Sequence, residues 1–257
     1  MKQTTFLEAS ELSISNNGTP LFKSLNFSLT KGSIVAVIGE NGSGKSTLLD
    51  HLAGIKKALG GKVLMQGIDI NTLTAPHRCK LIASIGQNDH SCDDIMVNDR
   101  IAQGLTPRFG THFYLSPQIR ALVKQAAHLT QVDHLLSRPL GTLSGGERKR
   151  VNIARCIVDD EALIYILDEP FAGIDLRHQQ KLCDTLMSLA NAQKLVIISL
   201  HDLNLMFQLP HYIIALKNNQ STVIGYSKEV LTTHLLYSIF GLDEQALTTL
   251  NRRGIST

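Results

Sequence analysis

Ile34-Val35-Ala36-Val37-Ile38-Gly39-Glu40-Asn41-Gly42-Ser43-Gly44-Lys45-Ser46-Thr47 joins three kinds of segment without a break. The first five residues are apolar without alternation, which predicts a strand buried on both faces. Gly39, Gly42 and Gly44 then punctuate a polar loop, and beyond it Leu48, Leu49, Leu52 and Ile55 recur at the spacing of one helix face. A buried strand, a Gly-rich loop closing on Lys-Ser, and a helix together make the phosphate-loop pattern. Its glycines let the loop wrap tightly, so that backbone N–H groups over Gly39–Thr47 turn toward phosphate oxygens. The positive end of the helix dipole points the same way. Lys45 is expected to bridge the β- and γ-phosphates as a point charge, and the Ser46 hydroxyl to ligate Mg²⁺. The stretch therefore predicts binding of a nucleoside triphosphate.

Composition agrees with a folded host for such a site. A chain of 257 residues with 43% hydrophobic and 18% charged residues can bury a substantial core, which excludes disordered and fibrous classes. The net charge of +3 is small and spread along the chain, Trp is absent, and aromatics make up only 5%, so nucleic acid is not expected as the main partner. Cys79, Cys92, Cys156 and Cys183 are scattered, with no zinc-ligand spacing, and read as free thiols of a reducing compartment. The N-terminus lacks the apolar core of a signal peptide. The apolar runs Ile34–Ile38, Ala162–Leu167 and Leu195–Leu200 are too short to cross a bilayer. A soluble, cytoplasmic chain is expected, and any membrane span must come from another polypeptide.

Around the loop, residues 6–30 alternate in short segments broken at Asn16-Asn17-Gly18, which predicts an antiparallel hairpin. Residues 88–160 differ in character. They carry Pro107, Pro117 and an amphipathic stretch over Ile119–Leu129, and read as a helical insertion into a core made of 1–87 and 161–257, not as a second fold. Strand and helix alternate again through Leu163–Leu167, Gln179–Ala190 and Leu195–Leu200, which implies a mainly parallel sheet flanked by helices. The tail predicts a hairpin around Asn218-Asn219 and a helix near Ser227–Phe240.

The strand Ile164-Tyr165-Ile166-Leu167 ends in Asp168-Glu169. Ligands of open α/β sheets bind outside the carboxyl ends of the strands, so Asp168 is placed to hold Mg²⁺ directly or through water. Glu169, next in sequence, points elsewhere and could orient or deprotonate an attacking water. Gln87 and His201 likewise follow apolar strands. Leu143-Ser144-Gly145-Gly146-Glu147 reads as a turn entering a helix from Arg148 to Val158, and it forms a second anion site of hydroxyl, glycine N–H groups and helix end. One nucleotide does not need two cradles from one chain, so each is assigned to a different half of a composite site.

In these motifs and in their order the chain resembles the ATP-binding cassette (ABC) family, over nearly all its length. The resemblance rests on the phosphate loop Gly39–Thr47, Gln87, the signature Leu143–Glu147, Asp168 and Glu169, Asp175 and His201. It implies a RecA-like P-loop core with an antiparallel β subdomain and an inserted helical subdomain. It also implies a head-to-tail homodimer, with ATP held between one subunit's phosphate loop and the other's signature. Ser144, Gly145 and Gly146 would then contact the γ-phosphate bound on the opposite subunit, and Asp175 belongs to the same nucleotide site. His201 would sense that phosphate and position it against Glu169, and Gln87 would reach Mg²⁺ and the attacking water. Three positions depart from the family. Asn16, with Ile14 beside it, stands where an aromatic usually stacks on adenine, leaving Phe22 as the candidate; Gly86 stands where Pro is frequent, and Ile174 where Leu is usual.

Within the family, Ser199-Leu200-His201-Asp202-Leu203-Asn204 and the tail Ile224–Leu231 through Gly241 look most like the ATPases of iron–siderophore, haem and cobalamin importers. That likeness implies a hydrophobic permease partner, an indirect substrate-binding protein, and a peripheral position on the inner face of the membrane. A cassette ATPase of a non-transport complex, such as one for iron–sulfur cluster assembly, fits the same motifs, as does the ATPase of a different ABC transporter. Co-purification with a membrane subunit separates transport from the non-transport reading.

Overall fold

The computed structural model describes residues 5–16, 19–86, 93–110, 116–217 and 222–241. Two sheets carry the fold. The first is antiparallel and is made of β1 (Thr5–Asn16), β2 (Thr19–Thr30), β4 (Gly60–Met65) and β5 (Ile68–Asp69), in the order β2-β1-β4-β5. The second runs β10-β9-β3-β8-β7-β6, from β3 (Ser33–Gly39), β6 (Ile82–Ile85), β7 (Ile164–Leu167), β8 (Leu195–Ser199), β9 (Tyr212–Leu216) and β10 (Thr222–Tyr226). All its pairs are parallel except the edge pair β9–β10.

The central strand β3 explains why its sequence does not alternate. Ile34, Ala36 and Ile38 enter one apolar cluster, and Val35 and Val37 enter another on the opposite face of the sheet. The second cluster is shared with β1, β2 and α1 (Lys45–Leu52), so the antiparallel sheet and the helix after the phosphate loop cover one face together. The other face is covered by helices. Between β6 and β7 the described residues form α3 (Val97–Ala102), α4 (Thr106–Phe109), α5 (Pro117–Leu129) and α6 (Gly145–Ile157), with short 3-10 turns and no named strand. The remaining helices are α2 (Ala75–Leu81), α7 (Leu176–Asn191), α8 (Leu203–Gln208), α9 (Ser227–Val230) and α10 (Thr233–Phe240). Val97, Ile101, Ile119, Val123, Val151 and Ala154 from the α3–α6 segment join the same cluster as Ile34 and Ile38. That segment thus packs as an extension of the sheet's own core.

Local chemistry accounts for the helix starts. Ser116 caps α5 by accepting the Ile119 N–H at 3.3 Å, with Pro117 at the first helical position, where its missing N–H costs nothing. Asp175 caps α7 and accepts the His178 N–H at 3.1 Å. Several boundaries differ from the sequence reading: the tail helix expected near Ser227–Phe240 is two, α9 and α10, parted at Leu231-Thr232, where Thr232 caps the second by accepting the Leu235 N–H at 3.2 Å. Helix α1 ends at Leu52, the chain turns as Gly54 N–H donates to His51 O at 3.0 Å, and Ile55 lies beyond it, 62% exposed. Helix α6 begins at Gly145 and not at Arg148, because Ser144 caps it one turn earlier. The hairpin turns at Asn17-Gly18 and Asn218-Asn219 lie outside the described residues, although the strands on either side pair as antiparallel neighbours.

On β7, Tyr165 is wholly buried in the helix-side cluster and its hydroxyl donates to the Asp159 carbonyl at 2.7 Å. Burial holds the phenol far above its ordinary value, so it stays a donor. Tyr165→Phe removes that bond and leaves the Asp159 carbonyl with only the longer bond from the Ala162 N–H at 3.4 Å, at a cost of about 1–2 kcal/mol. We expect the melting temperature to fall by about 3–6 °C for a chain of this size, with ATP affinity unchanged, as read by thermal unfolding and nucleotide titration.

Candidate functional site

The phosphate loop runs off the carboxyl end of β3, and Gly44 is the residue that lets it enter α1. Gly44 sits at φ 96, a left-handed conformation that only glycine adopts cheaply. A β-carbon there would come within 3.1 Å of the Leu21 side chain and 3.3 Å of Phe22, which press on the loop from β2. Lys45 is buried and donates from Nζ to the loop's own carbonyls, Gly39 O at 3.0 Å and Glu40 O at 2.8 Å. Burial pulls its ammonium below the ordinary value, and the charges of Glu169 and Asp168 act in the opposite sense. The side chain is thus already drawn into the loop it would share with phosphate.

A cavity of about 660 Å³ opens over this loop, lined by Asn41, Gly42, Gly44, Lys45, Ser46, Thr47, Glu169 and His201, with Asn16 and Leu21 at its rim. Leu21, not Phe22, is the apolar side chain that lines it; Phe22 is 3% exposed and belongs to the core. The expectation that Phe22 stacks on a base is therefore corrected: its side chain is buried in the core and does not line the cavity. Leu21 packs against the same apolar cluster and also approaches Gly44, but it stays half-buried where Phe22 is buried.

The acids of β7 lie beside this cavity. His201, just beyond β8, donates from Nε2 to Glu169 Oε1 at 2.9 Å. Glu169 has φ 48, a backbone conformation that costs a non-glycine residue about 1–3 kcal/mol. Asp168 is 2% exposed; its Oδ1 accepts from the Ser199 hydroxyl at 2.5 Å, and its Oδ2 is buried with no hydrogen-bond partner among the described residues. A carboxylate oxygen so placed is costly unless a cation meets it. That arrangement fits a hard divalent ion, and Ser46 lines the cavity together with Glu169, the residue after Asp168. Among the described residues no group of three or more His, Cys, Asp or Glu could cage an ion alone. Phosphate oxygens and water are the natural remaining ligands, as is usual for magnesium.

Two residues to which the sequence reading gave no role at the site touch the acids. Ser199 ends β8, and Lys149, on α6, donates to the Asp168 backbone carbonyl at 3.4 Å. Burial lowers the Lys149 ammonium as it does that of Lys45, again opposed by Glu169 and Asp168. Lys149 sits in the run Arg148-Lys149-Arg150, which looks like a solvated helix face until the helix is packed; Ser199 is the one polar residue in an apolar strand.

The second anion site stands apart from the cradle: none of Ser144, Gly145, Gly146 or Asp175 lines the cavity. Ser144 and Glu147 form a capping box. The Ser144 N–H and hydroxyl both donate to Glu147 Oε2 at 2.8 Å, and Ser144 Oγ accepts the Glu147 N–H at 3.3 Å. The Ser-x-x-Glu spacing was the available signal for a helix starting here. A β-carbon on Gly146 would lie 2.8 Å from Gly173 O, so this helix end approaches the loop after β7 as closely as glycine allows. Asp175, at the end of that loop, accepts from His178 Nδ1 at 2.6 Å, and this bond holds its carboxyl below the usual range. Gln87 lies outside the described residues.

A parallel sheet with a lysine-bearing phosphate loop at the end of its central strand, and two acids at the end of a nearby one, defines a P-loop nucleoside triphosphatase. The chain belongs to the ABC transporter family, whose model matches residues 22–172. It binds and hydrolyses ATP. It is 33% identical over 240 residues to the Achromobactin transport ATP-binding protein CbrD of Dickeya dadantii, covering 93% of this chain and 89% of that one. It is 31% identical over 243 residues to the Iron(3+)-hydroxamate import ATP-binding protein FhuC of Bacillus subtilis, covering 94% and 90%. Among solved structures it resembles a metal-chelate type ABC transporter in an inward-facing conformation, with a TM-score of 0.79, 29% identity, and 93% and 90% coverage. No helix among the described residues is long and apolar enough to cross a membrane.

The capping box carries a pH signature. Hydrogen bonds from the Ser144 backbone and side chain hold the Glu147 carboxyl below its ordinary 4.5. Since the folded value is the lower one, its contribution is complete above 4.5 and is lost as pH falls through the depressed value. We expect protection of the Glu147 amide against hydrogen exchange to fall on that acid limb. In Glu147→Gln the limb should vanish; an unchanged acid loss in that variant would remove Glu147 as its source.

Proposed function

We propose that the chain powers import of an iron chelate, of the siderophore and haem type, or of cobalamin, through a separate hydrophobic permease. It works as a head-to-tail homodimer with ATP between the subunits, on the cytoplasmic face of the membrane, served indirectly by a substrate-binding protein. The observation that carries the dimer is the separation, within one chain, of the Lys45–Glu169–His201 cavity from the Ser144–Gly146 helix end. Each looks like half of a site. The cargo class is supported by relatives named for achromobactin transport and iron(3+)-hydroxamate import, and by the metal-chelate type of the structural relative.

In this reading the loop N–H groups and Lys45 hold the triphosphate, and Lys45 exchanges its two loop carbonyls for phosphate oxygens. Asp168 and Ser46 would hold a magnesium ion, which would offset phosphate charge when bound. Glu169 orients water for in-line attack on the γ-phosphate and accepts its proton as the bond to the β-phosphate oxygen breaks, leaving ADP and phosphate. His201, bonded to Glu169, keeps that carboxylate turned to the cavity. Gln87 reports nucleotide state to the permease. The partner's signature adds N–H groups at its helix end to the γ-phosphate, and loss of that contact on hydrolysis reopens the dimer.

Glu169→Gln should retain ATP affinity, lose turnover by at least ~10², and accumulate as a dimer with Mg·ATP, seen by size-exclusion chromatography with light scattering. A saturated variant that stays monomeric would sink the sandwich. Lys45→Ala should lose ATP binding. Mixing it with Ser144→Arg, itself inactive, should restore part of the activity, because a heterodimer then holds one intact composite site; no recovery on mixing speaks against shared sites.

A further inference from the structure

The peptide unit that joins Asp168 to Glu169 is held at both ends by side chains that have no role in the site as read so far, Ser199 and Lys149. Its N–H, from Glu169, donates to Ser199 Oγ at 2.6 Å, and its C=O, from Asp168, accepts from Lys149 Nζ at 3.4 Å. Ser199 is wholly buried, the last residue of a strand whose other members are Leu195, Val196, Ile197 and Ile198. A hydroxyl in such a place has to be matched by polar partners, and it has two. It receives the Glu169 N–H and gives its own proton to Asp168 Oδ1 at 2.5 Å. A serine has one proton to give, and here it goes to a carboxylate, the strongest use it has.

Two consequences follow for the acids. The bond to Oδ1 fixes the Asp168 carboxylate by one oxygen and leaves Oδ2 as the buried oxygen without a partner among the described residues, the one a cation can meet. The bond from the Glu169 N–H supports a backbone at φ 48 that a glutamate does not adopt unaided. That turn carries the Glu169 side chain to His201, 2.9 Å away, and away from the buried position of Asp168. One hydroxyl thus sets where both acids point. It does so from the end of β8, two residues before His201, and so ties the acids at the end of β7 to the strand that carries the histidine.

We propose that Ser199 is a positioning residue for hydrolysis, presenting Asp168 to the metal and Glu169 to the attacking water, with Lys149 steadying the far end of the same peptide unit. The inference rests on the roles given above to Asp168 and Glu169. Partners that orient metal ligands from behind are worth about 10–100-fold in metal affinity or activity. Ser199→Ala should therefore lower kcat by about 10–100-fold, with metal-free ATP affinity within about 2-fold of wild type. Mn²⁺ binding to the protein–nucleotide complex, followed by electron paramagnetic resonance, should weaken by about 10-fold. The Glu169 amide proton should move upfield in the nitrogen–proton correlation spectrum as its short bond is lost, a readout independent of turnover. Ser199→Thr, which keeps the hydroxyl, should restore kcat and Mn²⁺ affinity.

Wild-type kcat and Mn²⁺ affinity in Ser199→Ala, or a loss that threonine does not restore, overturns the proposal. If the alanine variant does not fold, Ser199→Thr and Ser199→Cys decide: an active threonine and an impaired cysteine variant support it, and equal activity overturns it. Glu169→Gln and Asp168→Asn belong in the same assay. Should they keep full turnover, the reading of the acids has failed; should they lose it while Ser199→Ala does not, only the role of Ser199 has.

Discussion

Parallel register is the constraint on which the site depends. Val37 pairs with Ser199, Gly39 with Leu216, Leu167 with Ile198 and Ile85 with Leu167, so β3, β6, β7 and β8 end along one edge of the sheet. The hydrogen-bond ladder continues one residue past the strands: Asp168 N–H donates to Ile85 O, and Leu200 N–H to Val37 O, both at 3.1 Å. Asp168 and Leu200, one residue past the ends of β7 and β8, are therefore still tied into the sheet. Segments far apart in the chain, ending at Gly39, Asp168 and Ser199, meet because a buried backbone cannot leave its polar groups unpaired.

Charge is arranged around that edge before any nucleotide arrives. Lys45 and Lys149 are both drawn out of water, and both feel Glu169 and Asp168 as the charges that offset the loss. Lys45 spends its donors on Gly39 O and Glu40 O, which holds the loop closed around its own ammonium. A cradle already folded in this way loses little conformational freedom on binding, and that is the usual source of affinity in a phosphate site.

The signature helix obeys a different economy. Ser144 and Glu147 satisfy each other at the start of α6, and Gly146 brings that start against Gly173 in the loop that follows the acids. Helix end, acid loop and the Asp175 cap of α7 are thus packed in series within one chain. A displacement of α6 is felt at Gly173 through direct contact, and at the Asp168 carbonyl through Lys149.

By itself the sequence determined the phosphate loop, the doubly buried strand before it, the acids at the end of Leu167, and the second anion motif at Ser144. These are local signals: a spacing of glycines, a run without alternation, a short motif. It also carried the parallel sheet and the helical character of the segment bearing Ile119–Leu129. What it did not carry is which polar groups share partners across the sheet. Ser199 stood only within the strand Leu195–Leu200 and the run Ser199–Asn204, and Lys149 only within the helix after the signature, because their partners lie 31 and 19 residues away. Phe22 looked available to a base until β2 turned it inward and left Leu21 at the rim. Those assignments waited for tertiary structure, since register and burial decide where a side chain can reach, and neither is a property of any one stretch of chain.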